Sequence, residues 1–123
     1  MTQKRRHLGQ LGERLAADRL AHLGYEIVAR NYRCQEGEID LVTRQAGRWV
    51  FVEVRTRRSS RFGSPEESVT PRKRAHLIAS AQHFLQEHDA SSADWRIDAV
   101  AIVFSPAGQL ERLDVIENAV EGS

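Results

Sequence analysis

Cysteine is nearly missing from this chain of 123 residues: Cys34 stands alone, with no partner for an internal disulfide and no Cys or His at a recognisable zinc spacing. It reads as a small residue near a strand end. A chain of this length closes one hydrophobic core without staples, so a single domain spanning 1–123 is expected. Long apolar runs are also absent, which excludes a bilayer-spanning helix. The basic start, Met1 to His7, is followed by polar Gly9-Gln10-Leu11-Gly12-Glu13-Arg14 and lacks the apolar stretch of a signal peptide. A cytoplasmic protein with no membrane partner is the expectation. The five histidines, His7, His22, His76, His83 and His88, show no ligand spacing with one another, so no metal is assigned to them. Repeats, low-complexity tracts and linkers are lacking too.

A large net charge is the last absence, since the formal total is +1. Its distribution is uneven. From Arg55 to Arg74 there are seven basic and two acidic residues, a balance of +5 against −4 elsewhere. A polyanion-binding edge has this signature, and so does a solvated loop leading into a basic helical turn.

Leu8, Leu11, Leu15, Ala16, Leu20 and Leu23 recur at three- and four-residue intervals with Gly24 beyond them, predicting a helix from about Leu8 to Leu23. Strands are predicted at Tyr25 to Tyr32, Glu38 to Arg44 and Arg48 to Thr56, the last two joined by the short connection Gln45-Ala46-Gly47. Ser59 to Pro71 reads as a loop, and Thr70-Pro71 as an N-cap with proline at the first helical position. The helix that follows presents Ala75, Leu77, Ile78, Ala81, Phe84 and Leu85 and ends near His88 or Asp89. Trp95 to Phe104 and Gln109 to Ile116 complete the strands. The order predicts an α/β fold, a mixed sheet with a helix on each face.

Two of these strands carry carboxylates among apolar neighbours. Alternation puts Glu38, Asp40 and Val42 on one face and Ile39, Leu41 and Thr43 on the other. On the next strand Trp49, Phe51, Glu53 and Arg55 share a side, opposite Val50, Val52, Val54 and Thr56. Pairing of the two strands makes Asp40 and Glu53 cross-strand neighbours, roughly 5 Å apart at Cβ. Like charges so close repel, and Mg²⁺, typically held by one or two carboxylates with water and phosphate, would relieve them. Arg55 offers a second explanation, an ion pair with either acid. Both readings stand on the pattern.

Gly37-Glu38-Ile39-Asp40-Leu41-Val42, Phe51-Val52-Glu53-Val54-Arg55-Thr56-Arg57 and Phe62-Gly63-Ser64-Pro65-Glu66-Glu67-Ser68-Val69-Thr70-Pro71-Arg72-Lys73 closely resemble the YraN-type family of uncharacterised bacterial proteins. The likeness runs from Gly12-Glu13 to Asp98-Ala99-Val100-Ala101-Ile102. That family is in turn similar to restriction-endonuclease-like nucleases, and more closely to archaeal Holliday-junction resolvases. The resemblance implies a restriction-endonuclease-like core, with Asp40 and Glu53 as metal-binding acids for Mg²⁺ or Mn²⁺. Arg55 falls at the motif's lysine and Glu13 at the acid of the first helix, although an exposed helical glutamate is the commoner state for Glu13. An arginine keeps its proton and cannot serve as a base, yet its planar fork suits a phosphate oxygen.

Two functions follow as expectations. One is a metal-dependent endonuclease acting on DNA, with branched and flapped structures as candidate substrates, in which Arg57, Arg58, Arg61, Arg72 and Lys73 hold phosphates. The other is a non-catalytic nucleic-acid-binding protein on a nuclease scaffold. A homodimer is expected from the resemblance alone. Phe62 reads as a loop anchor, Gln82 and His83 as a solvated helix face, and Asp98 equally as a loop cap, a partner of Arg96 or a third metal ligand.

Overall fold

All five strand signals become strands of one sheet. A computed structural model describes residues 2–59 and 70–120, with side chains from residue 8 onward. In chain order the elements are α1 (Thr2–His22), β1 (Glu26–Cys34), β2 (Gly37–Gln45), β3 (Arg48–Arg58), α2 (Pro71–Glu87), β4 (Trp95–Phe104) and β5 (Leu110–Ile116). The strands lie in sequence order, antiparallel throughout except for the parallel pair β3 and β4. A parallel pair needs a crossover, and α2 supplies it. Among the described residues no helix is long and apolar enough to cross a membrane.

Each face of the sheet carries one helix, as the element order predicts. Ala16, Ala17 and Leu20 of α1 pack on Leu41, Val50, Val52, Val100, Ile102 and Phe104. Leu77, Ala81, Phe84 and Leu85 of α2 pack on Ile39, Val42, Phe51 and Ile97 on the other side. Thr70 caps α2 as its sequence predicts, its hydroxyl accepting from the Lys73 N–H at 3.1 Å. The β2–β3 hairpin turns through Ala46 and Gly47, both at positive φ (52° and 78°), as in a type I′ turn.

Three expectations need correction. Helix α1 begins at Thr2, not near Leu8, because Gln3-Lys4-Arg5-Arg6 has adequate helix propensity but no apolar period to mark it. Leu23 lies beyond the helix and is exposed, and Ala75 is exposed on the first turn of α2. The third concerns β2. Ile39 and Val42 both pack under α2 while Leu41 packs under α1, so the strict alternation expected from Glu38 to Thr43 breaks at Asp40. The β1–β2 ladder steps from Tyr32↔Ile39 to Arg30↔Leu41, and Asn31, opposite Asp40, has φ 52°. A left-handed residue there bends the pair and switches the faces of both strands.

Candidate functional site

Where β2 bends, it leaves β3. Leu41↔Val52 is the last pair of their ladder, so the next β3 amide on that edge has no strand partner. The Asp40 carboxylate takes that place. Its Oδ2 accepts from the Val54 N–H at 2.7 Å, a side chain doing the work of a backbone carbonyl. The ladder therefore stops one pair short of the directly opposed Asp40 and Glu53 that alternation implies, yet their carboxyl groups still come within hydrogen-bonding reach of each other.

On β3 the expected faces hold. Val50 and Val52 are buried under α1, with Val54 packed against them, and Phe51 lies under α2. Glu53 and Arg55 share the α2 side, with side chains 12% and 8% exposed, so little water screens them. Arg55 Nη2 stands 3.4 Å from Glu53 Oε1, and neither Nε nor Nη2 of this buried guanidinium has a hydrogen-bond partner. Proximity without a directed bond makes this a loose ion pair. A buried arginine with idle donors is costly, and such a group is usually completed by a ligand, an ion or water.

Burial, with the Asp40 carboxylate second, pushes the Glu53 carboxyl up to about 7, against the pull of Arg55 and Lys73. Burial also raises Asp40, and the bond from Val54 N–H opposes it. Glu13 of α1 is raised by burial first and then by Asp40 and Glu38. Its Oε1 is buried without a partner. Thus the exposed helical glutamate expected at Glu13 is instead half-buried at the edge of the acidic group. The cause is Gly12, where a Cβ would stand 2.2 Å from Thr56 Cγ2, so that α1 lies close upon β3 at this point.

An open cleft of about 440 Å³ adjoins the group, lined by Gln10, Glu13, Arg14, Arg30, Asn31 and Leu41. Arg14 and Arg30 were not among the residues the sequence singled out, because the interval from helix to strand hides their convergence. Of the basic residues that were, Lys73 acts on Glu53 from the first turn of α2, whose own N-terminus adds positive potential. Arg57 continues the row of Glu53 and Arg55 by strand parity and is half-buried. Arg58 is exposed and donates to the Pro106 carbonyl at 3.1 Å, and Arg72 is exposed on α2. Arg61 and Phe62 lie outside the described residues. Gln82 is exposed as expected, and His83, 33% exposed, also contacts Glu36 and Glu87.

Asp98 takes no part. It is fully buried and accepts from Tyr25 Oη, from Nε and Nη2 of Arg96 and from the Asn118 N–H, at 2.8–3.1 Å. Of the three explanations from sequence, loop cap and Arg96 partner apply at once, and protein donors occupy both oxygens that a metal would need.

Comparison with known proteins fixes the kinship. The uncharacterised protein family UPF0102 matches residues 12–102. The chain belongs to that family. A UPF0102 protein of Roseiflexus castenholzii is 50% identical over 122 residues, covering 98% of each chain. One from Dehalococcoides mccartyi is 45% identical, again over 98% of both, and one from Moorella thermoacetica 44% over 97% and 99%. The matched UPF0102 segment includes Glu13, Asp40, Glu53 and Arg55.

Proposed function

We propose that this UPF0102 protein is a metal-dependent phosphodiesterase acting on DNA, with branched and flapped structures as its substrates. The observation that carries the reading is a pair of largely buried carboxyls within reach of each other, beside a buried guanidinium with unsatisfied donors. Asp40 and Glu53 would hold Mg²⁺ or Mn²⁺, and the all-oxygen donor pair suits such hard cations. The cation would neutralise charge on the phosphate as a Lewis acid. The idle Nε and Nη2 of Arg55, beside Glu53, would fit a phosphate oxygen and stabilise charge that grows during displacement. Glu53 holds a proton at pH values below about 7 and is free to bind a cation above it. Lys73 and Arg57, with Arg14 and Arg30 across the cleft, offer positive charge to the flanking backbone. A junction presents symmetry-related strands, so a homodimer is the proposed working unit.

Cleavage of junction, flap and duplex DNA by wild type, Asp40→Ala and Glu53→Ala, each with Mg²⁺, Mn²⁺ or chelator, tests the proposal. Metal-dependent cleavage by wild type alone is the expected result; equal activity in all three proteins would mean a contaminant. A second reading has its own support, since Arg55 stands where the related nucleases carry lysine. It makes the protein a DNA binder without catalysis, and predicts salt-sensitive binding that survives both substitutions with no cleavage in wild type.

A further inference from the structure

The turn between β1 and β2 lies against the middle of α2. Gly37 makes this possible: at φ 149° its missing Cβ would stand 3.2 Å from Ser80 Oγ and 3.6 Å from His76 Cβ. Close packing of the backbone carries Cys34 and Glu36 toward His83 on the helix. One ligand atom from each of Cys34, Glu36 and His83 lies within 4.8 Å of the other two, and among the described residues no other set of three such side chains converges this way. All three are partly buried.

Several details point beyond chance proximity. Glu36 Oε1 is buried and makes no directed hydrogen bond, although His83 Nδ1 stands only 2.6 Å away. The other ring nitrogen, Nε2, lies 3.6 Å from Glu87 Oε2. Glu87 is in turn fixed by the Tyr32 hydroxyl, which donates to its Oε1. A histidine with one nitrogen in a ligand cluster and the other toward a braced carboxylate has the arrangement that orients metal-bound imidazoles.

We propose that Cys34, Glu36 and His83 form a binding site for a borderline-soft divalent cation of the Zn²⁺ type. Thiolate, carboxylate and imidazole are the donors that Zn²⁺ accepts, and tetrahedral bonding sets its ligand atoms roughly 3.3–3.6 Å apart. Cys34 would close on the other two from within 4.8 Å, while His83 Nδ1 and Glu36 Oε1, now 2.6 Å apart, would open to admit the ion, a side-chain adjustment of half-buried residues. Thiolate and carboxylate together neutralise the dication, and the Nε2–H of the neutral imidazole would donate to Glu87. The bound ion would pin the β1–β2 turn to α2, leaving a fourth position for water. This site shares no ligand with Asp40 and Glu53 and stands independently of the nuclease reading.

Co²⁺ and Zn²⁺ added to the full-length chain test the proposal. Expected is one thiolate-bound Co²⁺ per chain, seen by its thiolate-to-cobalt charge-transfer absorption, which is displaced by Zn²⁺, lost in Cys34→Ser and His83→Ala and kept in Asp40→Ala. Glu87→Gln should weaken Zn²⁺ binding by about 10–100-fold, as for other carboxylates that orient a metal-bound histidine. On the wild-type chain Zn²⁺ should also slow alkylation of Cys34 by about tenfold or more, a readout that needs no variant to fold. Unchanged alkylation with no charge-transfer band overturns the site, as does a charge-transfer band that His83→Ala leaves unaltered.

Discussion

Asp98 and the pair Asp40–Glu53 are all carboxylates set into apolar strands of one sheet, but their surroundings are opposite. Asp98 receives four hydrogen bonds from three residues, including both a guanidinium and a backbone amide, and Arg96 is itself tied to Gln45 at 2.9 Å. The network holds the strand–helix corner at Tyr25 and the chain after β5 to β4. Burial first, then the bond to Asp98, pushes the Tyr25 phenol up to about 12, and hydrogen bonding to Asp98 raises Arg96 further above its ordinary range. Asp40 has one directed bond, Glu53 has a like-charged neighbour, and Arg55 has idle donors. Buried polar groups are ordinarily satisfied, so the first region is organised for stability, whereas the second leaves buried donors unsatisfied and like charges together.

The largest test of this contrast is Asp98→Ala. It leaves Arg96, 13% exposed, without its main acceptor and strands the Tyr25 hydroxyl and the Asn118 amide. Breaking one side of a buried pair should cost about 3–5 kcal/mol in urea unfolding. Glu53 should titrate as before. A loss under 1 kcal/mol would show that the network is no better than a surface ion pair.

Next comes Glu53→Gln, which should do the reverse and stabilise. With an ordinary value of 4.5 and a folded value of about 7, Glu53 binds its proton more tightly in the native state. Its favourable contribution is complete below pH 4.5 and is lost as pH rises through 7, in all on the order of 3 kcal/mol. The glutamine variant should lack that slope and exceed wild type at pH 8 by about 1–3 kcal/mol. Mg²⁺ sharpens the comparison: it should raise the Tm of wild type at pH 8 and not that of the variant. Equal stability of the two proteins at pH 5 and pH 8 would remove the charge repulsion from the account.

Which of these features a linear reading reaches depends on how far apart their causes lie. β4 is found at Trp95–Phe104 as predicted, and the α2 cap at Thr70-Pro71, because each signal sits within a few consecutive residues. Glu53 and Arg55 are equally legible, since β3 alternates without a fault. Asp40 is legible as an acid in a strand but not as the substitute partner of Val54, which requires the bend at Asn31 on another strand. Glu13 approaches only because Gly12 lets α1 close on Thr56, 44 residues away in sequence. His83, read as solvated, meets Glu36 through packing of a turn on a helix, and no spacing rule along the chain reports that. Local chemistry is readable from order; convergence comes from tertiary packing.

The smallest effect, and the one that sets the boundary of the second region, is expected at Glu13 in Asp40→Asn. After burial, the Asp40 charge raises both Glu13 and Glu53, so neutralising Asp40 should let both titrate lower, as a carboxyl-resolved NMR titration would record. The drop at Glu13 should be smaller than that at Glu53, because Glu13 lies at the half-exposed edge of the cleft where solvent screens its charge, whereas Glu53 is buried beside Asp40. Salt separates the two further. At 1 M ionic strength, with a screening length near 3 Å, the Glu13 effect should nearly vanish while the Glu53 effect persists, since ions do not enter between buried carboxyls. If Glu13 drops as much as Glu53 does, and the shift survives salt, Glu13 belongs with the buried pair as a third acid. If Glu13 does not move, the acidic group ends at Asp40 and Glu53.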